Sequence, residues 1–361
     1  RDRTTAKIIA ITGSAGKTSL KNLIKDLLQK FGNTYCSPKS YNNRYGVPIS
    51  LSQLKTNHSF WVFEVGMSKK GGINNLTKLI RPHVGIITNI GEAHIENFKN
   101  LKGIAQAKSE MINQIKKNGT IILNRDDKFF DYLEKKARIN NLKVVTFGVD
   151  KNSDVHLKKI ITRKKGKVLT IKIADQTFKI IINNINYYNV LSSLALLREL
   201  NLEFYQILNF YKNIEPTEGR GKIHKIYRYK KKFNFIDESY NANPLSVKNA
   251  IRNFNNIKKK NFKKYLLLGD MLELGHKSAK LHKGISKVIN NSDIDKVFIR
   301  GGKALATYIN INKKKRGNIF QLEDDVDIIL NNIIANNDYL MIKGSNATGL
   351  NKISKKIIKG Y

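Results

Sequence analysis

Short apolar runs alternate with amphipathic stretches along the first 150 residues of the chain. The runs KIIAIT, FWVFEV and VGIITN have the length of single strands and almost wholly apolar interiors, which is typical of strands buried on both faces of a parallel sheet. Between the runs, apolar residues recur at helical spacing, as at Leu20, Leu23 and Ile24. We therefore predict a doubly wound α/β domain. Its strands are expected at 7–12, 60–65, 84–89, 120–124 and 144–147.

The pattern changes over residues 154–182, where apolar and polar residues alternate in three short segments. Breaks at Lys164-Lys165-Gly166 and at Asp175-Gln176 separate these segments, which predicts a small antiparallel subsheet. A helical pattern over 187–200 then closes the first domain.

A second alternation of strands and helices begins after the segment EPTEG, residues 215–219. It predicts a C-terminal Rossmann-like α/β domain, 215–361, after a central domain, 1–214. Pro244 suits the first turn of a helix over 245–254, because the N–H that proline lacks has no partner there. The strands of the second domain are expected at 233–237, 265–268, 296–299 and 339–342.

The first strand leads directly into a short loop rich in glycine, and the loop leads into the first helix. Backbone N–H groups of such a loop approach phosphate oxygens, the helix N-terminus adds a positive dipole end, and a lysine adds a point charge. Ile11 stands where the general motif has a glycine, so the loop is a shorter variant, and a purely structural turn is the alternative. We predict that the loop binds ATP. Its residues are Gly13, Ser14, Ala15, Gly16, Lys17, Thr18 and Ser19.

Composition places the chain among ordinary globular proteins. Its 361 residues are 41% hydrophobic and 26% charged, and the length suits about two domains. No apolar run approaches the roughly 20 residues of a membrane span. Cys36 is the only cysteine, which excludes an intrachain disulfide and fits a cytoplasmic protein. The chain begins at Arg1 rather than Met, as a fragment or processed product would.

The formal net charge of +38 raises the question of a nucleic-acid partner. The excess is mostly lysine, scattered in short runs such as Lys230 to Lys232 and Lys313 to Lys315. Aromatic residues are not interleaved with these runs, as a base-stacking surface requires. The pattern favours a solvated surface over a nucleic-acid site.

Three polar residues lie where a ligand of a parallel sheet would bind, beyond the carboxyl ends of strands. Glu64 follows four apolar residues of one strand, and a buried carboxylate there is costly without a cation such as Mg²⁺. His94 follows the strand at 84–89, and Lys108 lies in a predicted helix over 104–115. Each residue also has a purely structural interpretation. Glu64 could be an N-cap or the partner of an ion pair, His94 a hydrogen-bonded loop residue, and Lys108 a surface residue.

Seven segments of the chain together resemble one family, the Mur ligases. The resemblance covers essentially the whole chain in order, and the segment YNANP at 240–244 favours the member that adds a dipeptide over those that add one amino acid. The segments are ITGSAGKTS, YNNRYGVP, FEVGMS, TNIGEAHIENF, AQAKSEM, DESYNANP and IKGS.

The resemblance implies roles for particular residues. Lys17 and Thr18 would hold the ATP phosphates and Mg²⁺, with Glu64 and His94 as further metal ligands or their partners. Lys108 matches the lysine that is carbamylated in the family, which converts an amine into a carboxylate-like Mg²⁺ ligand. The remaining implied residues are Asn186 and Asn189 at the adenine, Arg220 and Glu238 at the nucleotide, and Asn42, Asn43, Tyr240, Asn241 and Asn243 at the substrates.

The resemblance also implies a reaction. ATP would activate the carboxylate of UDP-N-acetylmuramoyl-tripeptide as an acyl phosphate, and the amine of D-alanyl-D-alanine would attack it, in peptidoglycan precursor synthesis and hence cell-wall growth and division. Family members carry a further N-terminal domain that binds the uridine nucleotide, and nothing before Arg1 corresponds to it. We therefore expect weak affinity for the nucleotide sugar. Separately, we expect a monomer.

Three other functions stay open from the sequence. A sibling Mur or folylpolyglutamate-type ligase would add a single amino acid, and YNANP argues against it. A basic P-loop protein that binds nucleic acid is the non-enzymatic alternative. A degenerate scaffold is disfavoured because Lys17, Glu64, His94 and Lys108 are all present.

Overall fold

The structure is a computed structural model that describes residues 4–163, 166–258, 260–321 and 325–360. Lys164 and Lys165, in the predicted turn, lie outside the described residues. The chain divides into two compact units. The first unit runs to Gly91 and resumes over Asn97–Glu215, and the second comprises Glu92–Glu96 and the chain from Pro216 onward. Within the described ranges, no helix is both long and apolar enough to cross a bilayer.

The first unit is built on a single large sheet. Its strands are β1 (Lys7–Thr12), β2 (Thr34–Cys36), β3 (Phe60–Glu64), β4 (Val84–Ile87), β5 (Thr120–Asn124), β6 (Lys143–Gly148), β7 (Val155–Thr162), β8 (Lys167–Ile173) and β9 (Gln176–Ile182). Among the residues described, the sheet has nine strands in the order β2-β3-β1-β4-β5-β6-β7-β8-β9. Neighbours are parallel as far as β7, and the pairs β7–β8 and β8–β9 are antiparallel.

This sheet confirms the doubly wound α/β fold class and all five predicted strands of the first domain. The strand predicted at 84–89 ends two residues early, at Ile87, because Thr88 and Asn89 bind the loop after β1. The antiparallel strands form where they were expected. They are not a separate subsheet, however, since β7 pairs with β6 and continues the main sheet.

The helices of the first unit cover both faces of the sheet's parallel part. They are α1 (Lys17–Leu28), α2 (Gly46–Ser52), α3 (Gly72–Ile80), α4 (Leu101–Lys108), α5 (Phe130–Ile139) and α6 (Tyr187–Glu199). The predicted apolar face of α1 is buried, and α6 is buried almost all round, with nine buried residues from Asn189 to Leu197. Both helices join the same hydrophobic core with β1, β3 and β4.

The helix predicted over 104–115 is wrong in its second half. The α-helix ends at Lys108, and a 3₁₀ segment, Ser109–Gln114, follows. The Glu110 carboxylate accepts hydrogen bonds from the N–H groups of Gly71 (2.7 Å) and Asn74 (3.1 Å) at the start of α3. These hydrogen bonds join Glu110 to another helix, so the local sequence pattern cannot indicate them. They accompany the change from α-helix to the more tightly wound 3₁₀ helix.

The second unit has its own sheet and helices. The strands are β10 (Lys222–Arg228), β11 (Lys231–Glu238), β12 (Lys264–Gly269), β13 (Lys296–Arg300), β14 (Arg316–Phe320) and β15 (Tyr339–Lys343). The helices are α7 (Pro244–Asn255), α8 (Ser278–Asn290), α9 (Leu305–Tyr308), α10 (Asp325–Ile328), a π-helical turn (Ile329–Ile333) and α11 (Leu350–Lys359). In the described part of the chain the strand order is β10-β11-β15-β12-β13-β14, and β10 is antiparallel to β11 whereas the others are parallel.

The four strands predicted for the second domain are present, which agrees with a Rossmann-like α/β arrangement. Sequence reasoning missed the edge strands β10 and β14 here, and the three-residue edge strand β2 in the first unit. Pro244 occupies the first position of α7, as predicted, and Asn243 caps that helix.

Candidate active site

The end of β4 fixes the shape of the loop between β1 and α1. The Asn89 side chain accepts a hydrogen bond from the Ala15 N–H at 2.9 Å and donates one to the Ala15 carbonyl at 3.1 Å. The Thr88 hydroxyl donates to the same carbonyl at 2.7 Å, and the Ser14 N–H donates to the Asn89 carbonyl at 3.0 Å. Residues at the end of β4 therefore hold the loop in its curved form.

Two glycines of this loop occupy positions that other residues fit poorly. Gly13 has a φ of +150° and lies so close to Thr88 that a Cβ atom would collide with its hydroxyl. Gly16 has a φ of +83° and precedes α1 directly, and a Cβ there would lie 3.2 Å from the Asn189 Oδ1. The positive φ requires glycine at both positions. The same geometry places Asn189, the predicted adenine residue, beside the loop.

Helix α1 begins at Lys17, so its first N–H groups and its positive dipole end lie at the loop. The Lys17 ammonium donates a hydrogen bond to the Gly13 carbonyl at 2.9 Å, across the mouth of the loop. This combination of N–H groups, dipole and cation is an anion site of the kind that binds nucleotide phosphates.

A buried carboxylate faces the loop from the end of β3. Glu64 is 1% exposed, and its Oε2 accepts a hydrogen bond from the Thr18 hydroxyl at 2.6 Å. Its Oε1 accepts one from the Asn42 amide at 2.6 Å. The structure thus places Asn42, predicted at the substrate, on the carboxylate. Burial of a charged carboxylate is tolerated only with such partners.

The oxygen donors at this point suit a magnesium ion. Thr18 and Glu64 supply a hydroxyl and a carboxylate, which are the hard ligands that Mg²⁺ prefers, and Mg²⁺ usually takes one or two carboxylates together with substrate phosphates. Across the ranges that the structure describes, no three His, Cys, Asp or Glu side chains cluster as a ready-made metal site. Thr18 and Glu64 fit an ion that is shared with the phosphates of a nucleotide.

Lys108 is the last residue of α4 and is 1% exposed. Burial, with a smaller contribution from the nearby positive charge of Lys17, holds the pKa of the Lys108 amine well below its ordinary value. The structure thus brings Lys108, Lys17, Thr18 and Glu64 to one region of the first unit. A lowered pKa favours the neutral form of the amine, which is the form that reacts with electrophiles.

His94 belongs to the short segment that groups with the second unit. Its Nδ1 lies 2.6 Å from the Glu273 Oε2, and both residues have positive φ angles, +58° and +61°. The hydrogen bond from His94 lowers the pKa of the Glu273 carboxyl, although partial burial opposes that shift. Sequence reasoning missed Glu273, whose signal was its position a few residues beyond the strand β12.

The other predicted residues of the second unit cluster at the carboxyl end of β11. Glu238 ends β11, and its Oε2 lies 3.4 Å from the ammonium of Lys343, which also donates to the Asn241 carbonyl. The Arg220 guanidinium lies 4.3 Å from the centroid of the Tyr240 ring, a cation–π contact. Lys343, which sequence reasoning quoted only as part of IKGS, therefore links two of the predicted residues.

Three predicted asparagines have structural contacts of their own. Asn43 accepts hydrogen bonds from the N–H groups of Tyr45 (3.1 Å) and Gly46 (2.9 Å) at the start of α2. Asn186 accepts one from the Tyr188 N–H at 2.9 Å and caps α6. Asn243 and Ser246 form a reciprocal capping box on α7. Their predicted roles at the adenine and the substrates stay predictions.

A glycine loop at the end of a parallel strand, a helix N-terminus behind it and a buried carboxylate on its threonine define a P-loop nucleotide-binding protein. Comparison with known proteins refines this class. Residues 11–197 match the Mur ligase middle domain, and residues 223–346 match the Mur ligase glutamate ligase domain. The chain belongs to the Mur ligase family, and it is accordingly an ATP-dependent ligase.

Individual relatives agree with this assignment. UDP-N-acetylmuramoyl-tripeptide–D-alanyl-D-alanine ligase of Buchnera aphidicola subsp. Baizongia pistaciae is 32% identical over 366 aligned positions, which cover 100% of this chain and 77% of the relative. The fold is similar to that of MurF from Acinetobacter baumannii, with a TM-score of 0.88, 24% identity and coverage of 99% and 78%. It is also similar to MurF ligase from Thermotoga maritima in complex with ADP, with a TM-score of 0.87, 23% identity and coverage of 99% and 81%.

Proposed function

We propose that this chain joins D-alanyl-D-alanine to UDP-N-acetylmuramoyl-tripeptide by an ATP-dependent amide bond, as a cytoplasmic enzyme of peptidoglycan precursor synthesis. The relative from Buchnera carries the name of this reaction and is similar along the whole chain. The observation that carries the proposal is the contact between the Thr18 hydroxyl and the buried Glu64 carboxylate at the mouth of the phosphate loop. It joins a nucleotide site to a cation site, as phosphoryl transfer requires.

The reaction has two balanced steps. A carboxylate oxygen of the tripeptide attacks the γ-phosphorus of ATP, the bond to the β–γ bridging oxygen breaks, and ADP leaves. The amine of D-alanyl-D-alanine then attacks the carbonyl carbon of the acyl phosphate, loses a proton and expels inorganic phosphate. Lys17 and the N–H groups at the start of α1 would stabilise the charge on the phosphoryl oxygens.

Thr18 and Glu64 would hold Mg²⁺ in this proposal. The bound ion would supply charge neutralisation at the β- and γ-phosphates. Lys108 would add a ligand after carbamylation, in which its neutral amine attacks CO₂ and releases a proton to give a carbamate anion. Two observations support this role, the burial of Lys108 and the lowered pKa of its amine. His94 is proposed as a further ligand on the resemblance alone.

The second unit is proposed to contribute to nucleotide and acceptor recognition. Arg220 and Glu238 are assigned to the nucleotide, and Tyr240, Asn241 and Asn243 to the substrates. Their clustering at the carboxyl end of β11 supports the assignment, because ligands of parallel sheets bind at that edge. A monomer is proposed as the working form.

An acceptor panel tests the proposed function. The purified chain is supplied with ATP, Mg²⁺ and saturating UDP-N-acetylmuramoyl-tripeptide, and phosphate release is followed with D-alanyl-D-alanine, D-alanine, L-amino acids or L-glutamate with folate. The proposal expects release and a new amide product with D-alanyl-D-alanine. Product formation only with a single amino acid or only with folate would show instead a sibling ligase.

A further inference from the structure

A second buried lysine lies on α1, one turn beyond the phosphate loop. Lys21 is 1% exposed, and its ammonium donates hydrogen bonds to the carbonyls of Ser37 and Lys39, at 2.5 Å each. Burial of an ammonium group is costly unless it is well bonded. The resemblance gave Lys21 no role, and the phosphate chemistry described above does not use it.

The carbonyls that Lys21 holds belong to the segment 37–42, which follows β2. Lys39 has a φ of +43°, a left-handed conformation that costs a non-glycine residue energy unless its surroundings enforce it. The ammonium of Lys21 binds the carbonyl of this strained residue directly. Lys21 therefore stabilises a turn that the local sequence does not favour.

This turn carries two side chains to the candidate metal site. The Ser40 hydroxyl lies 3.2 Å from that of Thr18, and the Asn42 amide donates to the Glu64 Oε1 at 2.6 Å. The turn is tied to β3 as well, because Ser37 accepts a hydrogen bond from the Glu64 N–H at 3.3 Å. Thr18 and Glu64, the two proposed ligands of the metal ion, thus each contact a side chain of the segment that Lys21 holds.

We propose that Lys21 is a positioning residue of the metal site, which acts through segment 37–42 and not by contact with the ion or the nucleotide. By fixing the turn at Lys39 it keeps Asn42 on Glu64 and Ser40 on Thr18, so that the carboxylate and the hydroxyl present their oxygens in one orientation. Partners of this kind around metal ligands change metal affinity by about 10–100-fold when they are removed. The proposal rests on the proposed function only in taking Thr18 and Glu64 as the divalent-cation donors.

A double-mutant cycle in metal affinity tests it. Lys21→Met, Asn42→Ala and the double variant are compared with the unchanged chain, and binding of Mn²⁺ in the presence of ADP is measured by electron paramagnetic resonance. Each single variant is expected to weaken Mn²⁺ binding about tenfold or more. The double variant should bind Mn²⁺ about as tightly as the single variant that has the lower affinity, because both changes interrupt one chain of contacts.

Lys25→Met is the matched control. Lys25 is a half-buried lysine one turn further along α1, and its replacement should leave Mn²⁺ affinity within about twofold.

Two further readouts separate positioning from general stability. Affinity for ADP without metal should stay within about twofold in Lys21→Met, because the phosphate loop is bound independently to Thr88 and Asn89. If Lys21→Met does not fold, Lys21→Gln, which keeps an N–H donor, takes its place in the same cycle. Unchanged Mn²⁺ affinity in the Lys21 variant, or additive losses in the double variant, would overturn the inference. Failure of the acceptor panel with normal Mn²⁺ binding would overturn the proposed function alone.

Discussion

Ionisable side chains with almost no exposure gather around the phosphate loop of the first unit. Lys21, Glu64 and Lys108 are each 1% exposed. A charge is costly to bury, and it is kept inside a protein only where hydrogen bonds, a partner charge or neutralisation compensate. Each of the three uses a different compensation, namely backbone carbonyls, two side-chain donors and a lowered pKa. Burial of three such side chains at one place lowers the stability of the fold, which indicates that they are present for binding or catalysis.

Lys17→Ala should remove catalysis and leave the fold intact. The change deletes the positive charge that Lys17 places at the loop mouth, and loss of a single transition-state donor typically lowers kcat by about 10²–10³-fold. Phosphate release in the presence of both substrates measures the effect, and thermal unfolding measures the fold. Lys102→Ala, an exposed lysine of α4, is the control and should change neither. Ligation at the normal rate by Lys17→Ala would refute the assignment of the phosphate loop.

His83 should make the first unit sensitive to acid. Burial, followed by the charges of Lys116 and Lys7, lowers the pKa of its imidazole to about 4, and its Nδ1 accepts a hydrogen bond from the Ile8 N–H at 3.0 Å. The unfolded chain takes up this proton near pH 6.5, whereas the folded chain resists until about pH 4. The free energy of unfolding should therefore fall as the pH decreases through that window.

His83→Gln keeps an acceptor for the Ile8 N–H and removes the titrating group. Urea denaturation between pH 7 and 4 should show a shallower loss of stability for this variant than for the unchanged chain. His276→Gln, at an exposed histidine of the second unit, serves as the control and should keep the original slope. An unchanged slope in His83→Gln would contradict the assignment of this window to His83.

At the residue scale, the sequence located some of these groups and not others. Glu64 could be predicted because a carboxylate at the end of an apolar strand is rare and positionally informative. Lys21 could not, since nothing local separates it from the other basic residues of a chain that carries 66 lysines and arginines. Its partners lie 16 and 18 positions away on a loop, and only the tertiary structure brings them together.

At the element scale, the site depends on where strands stop and helices start. Strand β4 ends at Ile87, which frees Thr88 and Asn89 to hold the phosphate loop. Helix α1 starts at Lys17 immediately after Gly16, without a side-chain cap. A helix N-terminus that has no side-chain cap suits an anionic ligand in that position.

Asn243→Ala should weaken the second unit through the loss of a helix cap. Asn243 accepts a hydrogen bond from the Ser246 N–H at 2.9 Å and opens α7, and removal of such a cap costs about 1 kcal/mol. Urea denaturation followed by circular dichroism measures the loss. Asn243→Asp, whose carboxylate can accept the same bond, should keep most of the stability. Equal losses in the two variants would mean that the capping box is not what stabilises α7.

The elements themselves were predictable to different degrees. Long apolar strands such as β1 and β5 were predicted with their observed bounds, because burial on both faces leaves a continuous apolar signal. The edge strands β2 and β14 gave no such signal, since one is three residues long and the other, RGNIF, has few apolar residues. The end of α4 was misplaced because contacts to α3, rather than local propensity, set it.

At the scale of the whole molecule, the net charge of +38 allows weak, unspecific attraction to polyanions. We expect DNA binding to stay in the unspecific range, about 10⁻⁴–10⁻⁶ M at physiological salt, and to show no defined site size. Fluorescence titration of labelled single- and double-stranded oligonucleotides at several salt concentrations measures this. Tight binding that saturates at a defined site size would instead support the nucleic-acid alternative.

The most direct test of the central claim follows one oxygen atom. UDP-N-acetylmuramoyl-tripeptide carrying ¹⁸O in its terminal carboxylate is incubated with the chain, ATP, Mg²⁺ and D-alanyl-D-alanine, and the released inorganic phosphate is analysed by ³¹P NMR. Attack of the carboxylate on the γ-phosphorus predicts that one labelled oxygen passes into phosphate for each amide formed. Unlabelled phosphate accompanying amide formation would contradict activation through an acyl phosphate, and with it the proposed use of the phosphate loop.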